Sequence, residues 1–314
     1  MKIAIVGGGA VGLGIASCLI RAGSDVTIVA KPETVELLLK NGLSRIGIFG
    51  DYLVDSKKIQ AYNFLPNAYY DFILPCIKSF DSELTAKELA KNKTLFDSDS
   101  KIVLCQNGWG NAEIFSSYFP RERIFNARVI TGFSRSKLNE VKITVHAQPI
   151  RVGSLFVKNV DPVIPLCQAI KEGGVPCELA DEIEKDLIAK LLYNCALNAL
   201  GAIFKASYGK LGEKEESREL MKEMVEEVFN VMEDRTTYWA TADDYLHFFY
   251  SNLLPLTYEH ESSMLQDIRL GKRTEIEAIN GAVVKLGKKK DVSTPYNSMI
   301  VKLIKFLESE KLSS

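Results

Sequence analysis

Lys190, Asn194 and Asn198 recur four residues apart in a segment, residues 182–204, that is apolar nearly all round from Leu187 onward. At 100° per residue such positions drift only modestly, so they form one polar stripe along a helix. The apolar surroundings predict a buried helix. Burying an unpaired lysine or amide is expensive, so the stripe must face water, a partner or a ligand. An ammonium placed there could stabilise negative charge on a ligand or give it a proton, and the bland reading is a wet seam on a surface helix. Amides beside it could hold a hydroxyl or a carboxylate. Two polar groups follow downstream, Glu261 to Asp267 and Arg273 to Gly281. Ser263 and Glu275 could bind a ligand there. Equally, Ser262 or Ser263 could be a helix cap, with Glu275 and Glu277 as first-turn acids favoured by the helix dipole. Composition leaves both readings open.

A second chemistry is written at the other end of the chain. Gly7-Gly8-Gly9-Ala10-Val11-Gly12 fits G-x-G-x-x-G. A β-branched apolar run at 3–6 precedes it, an apolar helix over 11–22 follows, and a second strand at 26–29 completes strand–helix–strand. In that setting Gly7 permits a tight turn, Gly9 lets the backbone approach a pyrophosphate, and Gly12 lets helix pack on strand. The N–H groups of Ala10 and Val11 lie at the positive end of the helix, where phosphates bind. A signal peptide would also begin with a basic residue and an apolar run. Here glycines stud the run, and a matching strand follows Arg21 rather than a cleavage site. An NAD site usually carries Asp or Glu at the end of the second strand. This chain has Ala30-Lys31, with Lys31 19 residues after Gly12. A cation suits a 2′-phosphate, so the expected cofactor is NADPH rather than NADH.

The elements that must position these residues divide the 314-residue chain in two. Strands are expected at 71–77, 101–106, 124–130, 141–146, 151–155 and 175–179, with short ones between 43 and 61. Pro75 is expected near a strand terminus, because it removes a ladder donor. Lys78 and Asn107 follow two of these strands, where ligands of an open parallel sheet bind. From Asp181 on, helical periods dominate: 182–204, 213–235, 241–253, 258–270, 273–289 and 295–310. The expected fold is therefore α/β, a Rossmann-type dinucleotide-binding domain over 1–178 followed by an all-helical substrate and catalytic domain over 179–314. The chemistry is expected in the cleft that joins them.

Composition excludes several other classes. The chain is 46% hydrophobic and 25% charged with net charge −1, which gives no footprint for nucleic acid or an acidic membrane. No apolar run after the first helix is read as long enough to span a bilayer. Cys18, Cys76, Cys105, Cys167, Cys177 and Cys195 sit mostly in apolar segments without C-x-x-C, as expected of buried thiols in a reducing, cytoplasmic setting. His146, His247 and His260 have no ligand spacing, so no metal is expected. The helical half could bury an apolar face in a homodimer, and a monomer is equally compatible.

Taken together, GGGAVG at 7–12, IKS around Lys78, QNG at 106–108, K-x-x-x-N-x-x-x-N at 190–198, SSMLQD at 262–267 and RTEIEAING at 273–281 resemble the ketopantoate reductase (2-dehydropantoate 2-reductase) family over essentially the full length. The resemblance implies NADPH-dependent reduction of 2-dehydropantoate to (R)-pantoate in pantothenate and coenzyme A biosynthesis. It implies Lys190 and Glu275 as catalytic residues, and Asn194, Asn198, Ser263 and Asn107 around the substrate. At the cofactor it implies Gly7 to Gly12 (with Gly8, Gly9, Ala10 and Val11), Lys31, Lys78, Asn107 and Glu275. Lys31 stands where the family typically has arginine, keeping the charge but losing the two-pronged donor. The alternatives are a reductase of the same fold for another 2-keto acid and an NADP(H)-binding redox sensor without turnover. An opine-type dehydrogenase would share the architecture but lack the SSMLQD and RTEIEAING matches.

Overall fold

The computed structural model describes residues 1–96 and 99–312. Contacts divide the chain into two units. Unit 1 comprises Met1–Gln106 and Asn111–Ile183, and unit 2 comprises Asn107–Gly110 and the chain from Glu184 onward.

Unit 1 is built on short β-branched runs. Its strands are β1 (Lys2–Val6), β2 (Asp25–Val29), β3 (Leu43–Gly47), β4 (Tyr52–Val54), β5 (Gln60–Tyr62), β6 (Phe72–Pro75), β7 (Lys101–Leu104), β8 (Ile124–Arg128), β9 (Thr131–Lys137), β10 (Glu140–His146), β11 (Ile150–Gly153) and β12 (Cys177–Leu179). Among the described residues they form two sheets. The larger runs β12-β11-β8-β7-β6-β1-β2-β5. All its pairings are parallel except β11 with β8. The chain leaves β1 toward β2 on one side and returns to β6 on the other, which makes the β1/β6 edge a topological switch point. Pro75 is the last residue of β6. Its carbonyl still accepts from the Cys105 N–H at 3.0 Å, while the donor it lacks falls at the strand end, beyond the last β6–β7 pair at Ile73 and Ile102.

The smaller sheet, β4-β3-β10-β9, is a departure from the sequence reading, which assigned no strand to 131–137. β9 and β10 form an antiparallel hairpin. This sheet lies on helix α1 (Ala10–Arg21), where a Cβ on Gly14 would stand 2.5 Å from the Phe133 ring. Arg45 of β3 is fully buried there and donates to the Gly173 carbonyl at 2.8 Å, tying the small sheet to the other side of the core.

Unit 2 is helical. Its central element is α3 (Ile183–Phe204), reached after α2 (Pro32–Asn41) of unit 1 in this numbering. By length and hydropathy (22 residues, mean hydropathy 1.5) α3 could cross a membrane, which corrects the expectation that no later run is long enough. Its apolar character has another cause, because 67% of that window is buried within the protein. Around it lie α4 (Glu215–Val231), α5 (Ser263–Arg269), α6 (Asn280–Lys290) and α7 (Pro295–Leu312). Glu227 of α4 accepts from the backbone N–H groups of Tyr296 (2.7 Å) and Asn297 (2.9 Å), capping the start of α7.

Several expected helices are shorter than their periodicity suggested. The 241–253 helix runs as Ala242–Phe248 and then opens into a π turn over Phe249–Leu253. Pro255 explains this, since its ring would clash with a carbonyl four residues back. Tyr245 and Phe249 from this aromatic-rich segment are fully buried and stack at 5.8 Å, so its bulk fills the core of unit 2.

Candidate active site

The glycine loop spans the gap between β1 and α1. Gly7 has φ +122°, a region that favours glycine, and a Cβ there would stand 2.6 Å from the Cys76 carbonyl oxygen. A Cβ on Gly12 would stand 1.9 Å from the Gly7 carbonyl oxygen, so the helix sits on the loop with no room for a side chain. A Cβ on Gly9 would meet nothing nearer than 4.0 Å. That side of the loop is open to a ligand. Gly9 is also the N-cap of α1 and no side chain caps the helix, so the N–H groups of Ala10 and Val11 have no intrahelical or capping acceptor. These features fit the pyrophosphate of a dinucleotide. The Cys76 thiol beside the loop is held neutral, its pKa raised by its hydrogen bond with Cys105 and by burial. It therefore sets no negative charge against bound phosphates.

Gly8 is pressed against the end of β2, where its Cβ would stand 2.5 Å from that of Ala30. The next residue, Lys31, is the N-cap of α2 and is exposed, and no side-chain partner for its ammonium is present among the described residues. Lys78 follows β6, two residues beyond Cys76, and starts a 3₁₀ turn over Ser79–Asp81. Arg135 of β9 also reaches this loop, its Nη1 donating to the Gly8 carbonyl at 2.8 Å. The sequence reading gave Arg135 no role. No local motif signals it, because its placement depends on how the hairpin lies on α1.

In unit 2 three of the sequence-selected side chains meet. Lys190 Nζ donates to Asn107 Oδ1 at 2.6 Å, and Asn107 Nδ2 donates to Glu275 Oε2 at 3.2 Å. Asn107 thus gives its acceptor to the cation and its donor to the carboxylate, a match that fixes which way the amide points. The loop carrying Asn107 is stitched to the Glu275 segment. The Trp109 N–H donates to the Ala278 carbonyl at 2.8 Å, and Gly108, at φ +87°, lies so close that a Cβ would be 2.3 Å from the same oxygen.

That stitch explains why 273–289 is not one helix. A 3₁₀ turn over Ile276–Ala278 precedes α6, and the Ala282 N–H turns to Ile279 (3.1 Å), leaving the Ala278 carbonyl to Trp109. Glu275 stands just before this turn and is 7% exposed, so its carboxylate is not a solvated first-turn acid.

Asn194 and Asn198, 8% and 4% exposed, continue the Lys190 stripe along α3. Asn198 Oδ1 accepts from the Tyr208 hydroxyl at 2.7 Å, which leaves its amide N–H groups as the donor face. For the Asn194 side chain no partner is present among the described residues. Ser262 is the helix cap: its Oγ accepts from the Leu265 N–H and donates to the Asn198 carbonyl, both at 3.0 Å. Ser263, one residue on, is exposed at the first position of α5 with its hydroxyl uncommitted. The structure thus gives the cap to Ser262 and not to Ser263. Among the described residues there is no His, Cys, Asp and Glu cluster able to hold a metal ion.

Comparison with known proteins identifies the family. Residues 3–155 match the family profile described as ketopantoate reductase PanE/ApbA, and residues 182–308 match its C-terminal counterpart. A 2-dehydropantoate 2-reductase from Aquifex aeolicus is 36% identical, over 98% of this chain and 97% of that protein. The crystal structure of a PanE/ApbA family ketopantoate reductase from Ralstonia eutropha superposes with a TM-score of 0.86 at 28% identity, covering 99% of this chain and 100% of that one. A D-mandelate dehydrogenase solved with NADH and anilino(oxo)acetate superposes with a TM-score of 0.88 over 99% of both chains, and at 23% identity it shares the fold. The chain belongs to the ketopantoate reductase family.

Proposed function

We propose that this protein is a 2-dehydropantoate 2-reductase that uses NADPH to make (R)-pantoate, a step of pantothenate and coenzyme A biosynthesis. The observation that carries the chemistry is the meeting of Lys190, Asn107 and Glu275 at hydrogen-bonding distance from sequence positions 83 and 168 residues apart. Residues 1–178 are assigned to the cofactor and 179–314 to substrate and catalysis, with the Asn107 loop serving the second part.

Gly7 to Gly12 would hold the pyrophosphate on backbone N–H groups, and Lys31 and Lys78 would add positive charge. Bound NADPH supplies the hydride. The remaining work falls to this chain's side chains. Lys190, an ammonium with three donors, uses one on Asn107 and presents another to the keto oxygen. As negative charge builds there, Lys190 stabilises it and transfers the proton. Asn107 keeps the ammonium in place, and Glu275 holds Asn107 from the other side. The Ser263 hydroxyl and the Asn194 amide suit the substrate carboxylate and hydroxyl. The Asn198 amide donors, fixed by Tyr208, suit another acceptor on the substrate.

Five of the six cysteines are buried and all are free, which supports a reducing, cytoplasmic setting. A homodimer is supported by Met299, Leu303 and Phe306, which lie on one face of α7 and are exposed. Light scattering of the wild type and of Phe306→Asp tests it: a monomeric wild type removes the dimer from the reading.

The direct test of the function is loss of nicotinamide absorbance with ketopantoate, alongside pyruvate, 2-oxoisovalerate and the keto acid of mandelate, with NADH as control. The expected result is preferred turnover of ketopantoate with NADPH. Preferred turnover of another 2-keto acid would overturn the pathway assignment, and tight binding without turnover would make the protein a sensor.

A further inference from the structure

We propose that Arg135 is a second residue reading the 2′-phosphate of the dinucleotide, supplying beside Lys31 the forked donor that a lysine lacks. This rests on the reading that the glycine loop holds NADPH. The argument begins with placement. Arg135 is exposed on β9, and its Nη1 is fixed on the Gly8 carbonyl at 2.8 Å. Gly8 itself abuts the end of β2, its Cβ position lying 2.5 Å from Ala30 Cβ and 3.3 Å from Thr34 Cγ2. The guanidinium is therefore anchored at the corner of the loop next to Lys31, where the adenosine ribose of a dinucleotide lies in this fold.

The anchor is firm. Phe133, two residues earlier on the same strand, packs on Gly14 of α1 with no space for a Cβ. Arg135 pairs across the hairpin with Val141, an apolar neighbour. The nearest acid in sequence, Glu140, is engaged elsewhere: it accepts from Ser136 Oγ at 2.7 Å and lies 3.8 Å from Lys137 Nζ. Among the described residues no carboxylate pairs with Arg135. One of its five N–H donors is spent on the Gly8 carbonyl, and the others remain for a ligand. A guanidinium offers parallel N–H bonds to two phosphate oxygens, where an ammonium acts as a point charge. Lys31 gives charge at the strand end, and Arg135 adds geometry from a different sheet.

A structural rival is that Arg135 merely buttresses the loop through Gly8. Arg135→Gln separates the two roles, because its amide can still donate to the Gly8 carbonyl while carrying no charge. Dissociation constants for NADPH, NADH, 2′-phospho-ADP-ribose and ADP-ribose would be measured by fluorescence and calorimetry for the wild type, Arg135→Gln and Arg135→Lys. We expect Arg135→Gln to weaken the two 2′-phosphorylated ligands about 10-fold, equivalent to about 1.4 kcal/mol, and to change the other two by less than about 2-fold. Arg135→Lys should recover part of the loss. Equal weakening of all four ligands would assign Arg135 to loop support and overturn the proposal, as would unchanged NADPH affinity. A wild type that binds neither NADPH nor NADH would instead overturn the cofactor reading on which the proposal rests. The wild-type titration alone tells this failure from the failure of the proposal.

Discussion

In unit 1 the groups proposed to hold the pyrophosphate are backbone N–H groups gathered within six consecutive residues, 7–12. In unit 2 the proposed catalytic groups are side chains brought together from positions 107, 190 and 275. The first arrangement is made by removing side chains: a Cβ on Gly7 or Gly12 would strike a carbonyl oxygen, one on Gly8 would strike the Ala30 methyl, and one on Gly9 would fill the open side of the loop. The second is made by complementary hydrogen bonds, in which an amide matches a cation on one side and a carboxylate on the other. A backbone site should fail abruptly when a single methyl group is added. A side-chain site should fail by degrees, according to which role is removed.

The largest expected effect is on the backbone side. Gly12→Val places a branched side chain where even a Cβ stands 1.9 Å from the Gly7 oxygen. NADPH binding should be lost, as read by fluorescence titration. Retained affinity would mean that the loop yields, and the contrast between the two sites would collapse. Next comes Lys190→Ala. Removing a proton donor should reduce kcat by roughly 10²–10⁴-fold with little change in NADPH affinity. Near-normal turnover would rule Lys190 out as the donor. Asn107→Ala should have a smaller effect, because Lys190 remains but loses its acceptor. A kcat loss smaller than that of Lys190→Ala, with KM also raised, is the expected pattern, and a loss as large as that of Lys190→Ala would show that Asn107 does more than position.

Smaller effects bear on the scaffold of the side-chain site. Ser262→Ala removes the cap of α5 and the bond to the Asn198 carbonyl. It should cost about 1 kcal/mol of stability, read by denaturant unfolding. His260 packs edge-on against Tyr208 at 5.2 Å, and burial lowers its pKa. In the unfolded chain it would take up a proton at roughly pH 6.5. Its contribution to stability is therefore full above that pH and is lost as the pH falls through it toward the lower folded value. His260→Gln should flatten this acid dependence. An unchanged slope would assign the sensitivity to His146, whose pKa burial also lowers.

The same contrast explains what could be read without coordinates. The strand–glycine loop–helix unit was legible because its parts are contiguous and each residue type answers a local steric demand. The Lys190–Asn194–Asn198 stripe was legible because helical spacing alone puts it on one face. Asn107 could be placed beyond a strand, but its bonds to Lys190 and Glu275 could not be foreseen, since long-range pairing leaves no trace in local pattern. The break before α6 was hidden for the same reason: periodicity from 273 to 289 is helical, and the interruption is imposed by Trp109 from far upstream. The β9 hairpin strand, and Arg135 with it, was missed because β9 is half exposed and lacks a continuous apolar run.

Residues 107–110 belong by contact to unit 2 although the chain delivers them with unit 1. On the ribosome Asn107 emerges 168 residues before Glu275, roughly ten to thirty seconds at ordinary elongation speeds. Through that interval Trp109 has no Ala278 carbonyl to meet. A fragment beginning at Glu184 would be born without either residue, so the helical half cannot be cut out and expressed as a complete catalytic module. Any circular permutant or gene fusion that keeps this chemistry must carry the four-residue graft along with it.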